Sequence, residues 1–350
     1  MDRHTHHKAL LAPLRAAQYN FEESQYRATL EAVCAPDALF RMAHPLGEIH
    51  GTDAFYNQAV APLVQAWPDV ERRDYIVMAG TDSEGGDWVG CGGLFMGVSL
   101  EPWLDIPPTG HLAHMRFHEF FRFVGGKVVE MQSLWDIPEV MMQAGAWPMP
   151  PSLGREMTIP APASQDGLIP GPYDAAASEQ SKRIVLDMIE KMILHPGQSD
   201  PAVMELERFW HPKFNWYGPS GIGSSRGIAG FRNWHQIPFL KAMPDRGKDR
   251  AKLRSHFFGD GNYAGVTGWP NMVQTLSDDG WMGLAPSGTK FNMKSLDFWR
   301  VEDGLIRENW VMIDVLECYA QLGVDVFARL GEFNKTRNMG RIPLPTGMEA

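Results

Sequence analysis

Carboxylates set among large apolar side chains are the residues of this chain best suited to chemistry. Glu308, Trp310, Met312 and Asp314 fall at alternate positions, and so do Val128, Glu130, Gln132, Leu134 and Asp136. Alternate residues of a strand share one face. A carboxylate beside Trp and Met on a half-dry face has its charged form disfavoured, which raises its pKa toward neutrality. Such a group can move a proton next to a carbonyl. Asp314, Asp136 and Glu308 are therefore candidate catalytic groups. Asp is equally a favoured helix N-cap, and that reading of Asp136 and Asp314 stays open.

A second acidic pair lies one strand earlier. Met115, Phe117, Glu119, Phe121 and Phe123 share a face, matched by Met293, Ser295, Asp297, Trp299 and Val301. An acid kept inside an aromatic row is a candidate perturbed group. Glu119, Asp297 and Trp299 thus join Glu130 and Trp310 as candidate substrate contacts. Trp234 and His235 are added from the helix after Gly227, and His44, His211, Trp216, Tyr217 and Trp269 could line a pocket mouth. The opposite face, with His114, Arg116, His118 and Arg122, reads as solvated or interdomain surface.

Other chemistries find little support. His111, His114 and His118 are close in sequence, but a strand splits them between faces and no carboxylates follow at ligand spacing, so no metal is expected. Gly223-Ser224-Ser225-Arg226-Gly227 fits a nucleophile elbow in letters only, because a Gly- and Pro-containing loop precedes it. No phosphate-binding glycine loop is present, so no nucleotide cofactor is expected. A formal charge of −10 argues against nucleic acid. No apolar run has membrane-spanning length and no secretory leader is visible, which points to the cytoplasm. Cys34, Cys91 and Cys318 are widely spaced and read as reduced thiols. His4, His6 and His7 read as part of a loose N-terminal end.

The elements that position these residues occur twice. Gly51, Phe55, Pro62, Pro68 and Asp69 recur as Gly227, Phe231, Pro238, Pro244 and Asp245 at a constant shift of 176. A shift of 178 carries Glu119-Phe120-Phe121-Arg122 onto Asp297-Phe298-Trp299-Arg300, and Gly126, Glu130, Asp136, Gln143 and Gly145 onto Gly304, Glu308, Asp314, Gln321 and Gly323. Such matches mark a domain duplication. The expected organisation is a first domain over 8–146, a proline-rich linker over 147–175, a second domain over 176–330 and a tail over 331–350. Each copy reads as a helical stretch (8–33; 178–194 with Ser178 as N-cap) and then a helix after Gly51 or Gly227. Four strands follow, near 72–79, 87–97, 112–124 and 127–136, and near 252–258, 262–275, 290–301 and 304–314. Gly125-Gly126 and Asp303-Gly304 are hairpin turns, and a short helix closes each copy. The fold class is α+β: two tandem cone-shaped domains, each a curved antiparallel sheet wrapped around helices.

The ordered motifs resemble the SnoaL-like branch of the nuclear transport factor 2-like fold. They are a Gly opening a helix that ends in Pro-Asp, the Pro107-to-Gly110 turn, and Arg122 to Glu130 with its Gly-Lys-Val-Val-Glu run. An Asp six residues past that Glu and a Gln-x-Gly helix end complete the set. The second copy has Pro286-Ser287-Gly288, Asp303-Gly304 through Trp310, Asp314 and Gln321-Leu322-Gly323. The resemblance spans nearly all of both copies. It implies a pocket between sheet and helices, and cofactor-independent ring closure of a polyketide by aldol condensation, with an Asp near the end of the last strand as acid/base. Asp314, in Glu308-x-Trp310-x-x-x-Asp314, fits that role; the first copy departs from the pattern at Gln132. The expected activity is a cyclase, aldol or isomerase reaction on an apolar or aromatic carbonyl compound. The alternative is a non-catalytic small-molecule-binding or assembly module. Expected partners are an apolar small-molecule ligand and the other domain in an intrachain pseudo-dimer; further homo-oligomerisation stays open.

Overall fold

The computed structural model describes residues 1–343, so part of the expected tail, 344–350, lies outside the described residues. The chain opens in helix and not in a loose end. Asp2 accepts the Thr5 amide and caps α1 (Arg3–Tyr19), and α2 (Glu23–Val33) follows. Capping satisfies an open N–H of the first turn, which extends the helix to the N-terminal histidines. Next come β1 (Cys34–Met42), β2 (Glu48–His50), α3 (Thr52–Phe55), a π-turn at Tyr56–Val60 and α4 (Ala61–Ala66). The strands β3 (Glu71–Thr81), β4 (Asp87–Val98), β5 (Leu112–Val124) and β6 (Lys127–Trp135) lead into α5 (Ile137–Gln143).

The second half repeats the order. It runs α6 (Ala175–Leu194), α7 (Leu206–Phe209), β7 (Trp210–Tyr217), β8 (Ser225–Arg226), α8 (Gly227–Phe231), a π-turn at Arg232–Gln236 and α9 (Ile237–Ala242). Then come β9 (Ser255–Asp260), β10 (Tyr263–Leu276), β11 (Thr289–Glu302), β12 (Leu305–Ile313), α10 (Val315–Gln321) and α11 (Val326–Asn334). The cap of α6 is Asp174, which accepts the Ala176 and Ala177 amides; Ser178, expected there, lies inside the first turn and is buried.

Each half holds a six-stranded sheet, ordered β2-β1-β6-β5-β4-β3 and β8-β7-β12-β11-β10-β9. The meanders are antiparallel, but β1 runs parallel to β6 and β7 parallel to β12, so both sheets are mixed. The expectation of purely antiparallel sheets missed β1 and β7. Both carry a proline near their start, Pro36 and Pro212, and both lose register there, between Cys34 and Leu39 and opposite Ile306 to Glu308. Proline supplies no N–H to a ladder, which masks a strand in the sequence.

The repeated residues hold the scaffold. Gly51 (φ 83°) and Gly227 (φ 68°) take backbone angles that suit glycine where each helix begins. Asp69 accepts the Val98 amide at 2.7 Å, and Asp245 accepts the Thr275 amide at 2.9 Å. The side-chain amides of Gln143 and Gln321 each bond both backbone groups of one facing strand residue, His114 and Asn292. That double contact fixes each closing helix to its sheet, which explains the recurring Gln.

The two sheets lie against each other. Phe120 stacks on Phe298 at 4.9 Å, and His118 Nδ1 lies 2.6 Å from the Leu296 carbonyl oxygen. Lys8 pairs with Asp260 at 2.6 Å, both buried. A sheet covered by its own helices on one face and by another sheet on the other is apolar on both. The connector between the halves touches both of them: Val77 and Ile169 donate to Gly167 and Val77 carbonyls, and Arg155 exchanges two backbone bonds with Ser224. All three cysteines are free and buried.

Candidate active site

The second half holds a partly open cavity of about 410 Å³ between α6, the π-turn helix and the concave face of β10 to β12. The π-turn runs toward Pro238, which cannot donate to a carbonyl four residues back, and it presents His235 to this space. The His235 ring stacks on Trp216 at 4.1 Å, with Phe231 and Phe239 beside it. Burial and the nearby Arg246 charge lower the His235 pKa to about 3, so the imidazole is neutral.

Two carboxylates line the cavity, Asp249 from the segment between α9 and β9 and Asp297 from the sheet. Asp297 sits on β11 between Ser295 and Trp299, which share its face, and opposite Val311 of β12. Burial raises its pKa to about 7, against the lowering effect of the Ser295 hydroxyl, which donates to it at 2.8 Å. No basic side chain lies within ion-pair distance of it among the described residues. Arg246, half-buried, also lines the cavity, with burial lowering its pKa to about 10. It too has no ion-pair partner among the described residues. His235 Nδ1, Trp299 Nε1 and Trp210 Nε1 are buried lining atoms with no hydrogen-bond partner there. A buried donor without an acceptor costs roughly 1–3 kcal/mol, which a ligand oxygen would recover. The lining therefore offers a titratable carboxyl, hydrogen-bond groups and a cation within aromatic walls.

The equivalent carboxylate of the first half is buried and paired. Glu119, the counterpart of Asp297, accepts Arg72 Nη1 at 2.6 Å and Trp135 Nε1 at 3.2 Å. The Arg72 guanidinium also lies 4.1 Å from the Phe117 ring centre. Asp297 has Ser295, Val311 and Ile313 where Glu119 has Phe117, Ser133 and Trp135, so the two aromatic rings beside Glu119 have smaller counterparts beside Asp297.

The other expected residues are distributed elsewhere. Glu308 and Trp310 occupy the convex face, toward the first sheet and the connector. Glu308 accepts from Arg300 at 2.7 Å and from the Tyr217 hydroxyl at 3.2 Å, and Trp310 donates to the Pro160 carbonyl. Their alternation was right, but the face they share is opposite to the cavity. Glu130 lies at an outer position with Arg41 at 2.9 Å and Arg122 at 3.1 Å; burial alone would raise its pKa, and the Gln132 and Arg122 hydrogen bonds hold it down. Trp234 points outward, 52% exposed. Asp136 and Asp314 cap α5 and α10 through the Glu139 and Glu317 amides. Asp314 lies outside the cavity lining, although burial, opposed by Lys294, raises its pKa to about 7. Of the expected residues, Asp297, Trp299, His235 and Trp216 meet in the cavity. Arg246, on the segment between α9 and β9, carried no periodic signal.

The family described as SnoaL-like polyketide cyclase matches residues 14–144 and 272–322. No curated protein gives a match. Among solved structures, the chain is similar to a protein named as a SnoaL-like polyketide cyclase from Jannaschia sp. CCS1, with 22% identity over 43% of this chain and 99% of that one and a TM-score of 0.35. It is also similar to AclR from Streptomyces galilaeus, named as a hydroxylase, with 21% identity over 40% and 95% and a TM-score of 0.33. IdmH from Streptomyces antibioticus, named as a polyketide cyclase, gives 20% identity over 40% and 98% and a TM-score of 0.33.

Proposed function

Because this chain belongs to the SnoaL-like polyketide cyclase family, we propose that the cavity of its second half performs cofactor-independent acid/base chemistry on an apolar or aromatic carbonyl compound. The observation that carries this reading is Asp297, a carboxyl raised to about 7 on the wall of an aromatic cavity. Near neutral pH such a group both takes and returns a proton. Asp297 removes a proton from the carbon next to a carbonyl. The resulting enolate oxygen accepts from Trp299 Nε1–H, and the Arg246 charge favours the anion. The enolate carbon attacks a second carbonyl carbon of the same molecule, and the new alkoxide takes the proton back from Asp297. Packing of the substrate against the edges of the stacked Trp216, His235 and Phe239 rings holds the two carbonyls in reach.

The test is a screen of polycyclic and phenolic ketones, read by fluorescence for binding and by absorbance for conversion. Wild-type protein should convert a ligand that it binds. Asp297→Asn keeps shape and hydrogen bonding but cannot titrate, so turnover should fall by about 10²–10⁴-fold with binding retained. Equal turnover in the variant would remove Asp297 from the chemistry. Binding without conversion by either protein would favour the ligand-binding alternative.

A further inference from the structure

At one end of the first sheet lies a group of side chains that the cavity chemistry does not use. His4 and His7 are three residues apart on α1 and share a helix face. That face rests where Asp87, the first residue of β4, is in register with Thr81 of β3 and Phe123 of β5. One nitrogen of each imidazole and one oxygen of Asp87 lie within 4.8 Å of one another. Both histidines are more than nine-tenths buried, at 8% and 7% exposure. Nδ1 of each has no hydrogen-bond partner among the described residues. The rings are held in place, His7 stacked on Phe123 at 4.7 Å and His4 against Tyr173 at 4.2 Å. None of the three residues lines the cavity of the second half.

We propose that His4, His7 and Asp87 bind a divalent transition-metal ion of the zinc class, tying α1 to the first sheet. Two imidazoles and a carboxylate form a mixed nitrogen and oxygen donor set that suits zinc, whereas calcium and magnesium prefer oxygen-rich shells. Three protein ligands leave a fourth tetrahedral position for water. Bonds of about 2.0–2.1 Å place tetrahedral ligand atoms roughly 3.4 Å apart. Small side-chain rotations therefore bring the present arrangement to that spacing.

Thr81 Oγ1 donates to Asp87 Oδ1 at 2.7 Å and lies 3.5 Å from His4 Nε2, so it orients two ligands at once. Arg3 Nε is 3.3 Å from the same Asp87 oxygen, but its side chain is mostly exposed and can turn to solvent when the ion supplies the positive charge.

The experiment titrates ZnCl₂ into the metal-free full chain, expressed without a histidine tag, by calorimetry. One equivalent should bind, and affinity should fall at least tenfold in His7→Gln and in Asp87→Asn, while His6→Gln behaves as wild type. Nitrogen-15 imidazole resonances of the wild-type protein supply a readout that needs no variant: those of His4 and His7 should shift at one equivalent. No saturable uptake would overturn the site. So would unmoved His4 and His7 resonances, or unchanged affinity in folded His7→Gln and Asp87→Asn.

Discussion

Asp136 and Asp314 each cap the closing helix of their own half and each accept a backbone N–H from the other half, Ser220 at 3.0 Å and His44 at 2.9 Å. Ser220 and His44 are themselves 176 residues apart, the repeat shift of that region. The pair forms a reciprocal latch across the two domains. Behind each latch stands a cation at an equivalent position, Arg116 at 3.2 Å from Asp136 and Lys294 at 3.9 Å from Asp314.

The latch predicts a stability effect with little catalytic effect. Asp314→Ala should cost about 0.5–2 kcal/mol for the cap alone, with a further loss from the orphaned His44 amide. Asp314→Asn, which still accepts hydrogen bonds, should cost less. Urea denaturation gives both values. A large drop in turnover in a folded Asp314→Asn protein would return this residue to the chemistry.

The pH dependence follows from Asp297. If its carboxylate is the base, kcat/KM should rise with pH and level off above about 7. Stability should move the opposite way. The folded pKa lies above its ordinary value of 3.8, so this contribution is fully present below about pH 3.8 and lost as pH rises through about 7. Relative to Asp297→Asn, wild type should lose roughly 2–4 kcal/mol between pH 4 and pH 8. Parallel stability curves for the two proteins would contradict the raised pKa.

In the first half the ion pair of Arg72 and Glu119 should behave as structure. Arg72→Met leaves Glu119 buried without its cation and should destabilise by about 3–5 kcal/mol. Adding Glu119→Gln should recover much of that loss. Thermal denaturation of the single and double variants is the check, and additive losses would argue against direct coupling of the pair.

Ligand recognition in the cavity should separate into two parts. Trp299→Phe keeps the aromatic surface but removes the N–H, so a bound ketone should weaken by about 0.5–1.5 kcal/mol. Arg246→Met should weaken a carboxylate-bearing ligand by more, roughly 1.5–3 kcal/mol, and its neutral amide hardly at all. Equal losses for acid and amide would remove Arg246 as the charge-recognising group.

Much of this was legible in the sequence. The duplication, the eight meander strands and the hairpin turns at Gly125-Gly126 and Asp303-Gly304 all carried local signals, and both turns have positive φ at both residues. The acid in the aromatic row, Asp297, was visible for the same reason. What alternation could not give was which face of β12 looks inward. The first sheet and the connector cover the convex face, so Glu308 and Asn309 stand on opposite sides of β12 with nearly equal burial, 1% and 3% exposed. Asp314 was ambiguous because cap and catalyst favour the same residue at a strand-to-helix junction. Arg246 was silent because nothing in a loop's composition predicts which interior it borders.

The connector that bonds Val77 in one half and Ser224 in the other makes sheet pairing a unimolecular event. In a pair of separate chains, dilution would part the domains; here the tether keeps each at a local concentration of about millimolar or more around its neighbour. The unfolding midpoint should therefore not depend on protein concentration. The tether also frees the two halves from having to remain alike. A mutation that closes one interior does not appear twice, as it would in a homodimer. The first domain can thus set Arg72 and Trp135 against Glu119 while its sister keeps Asp297 on the wall of a cavity.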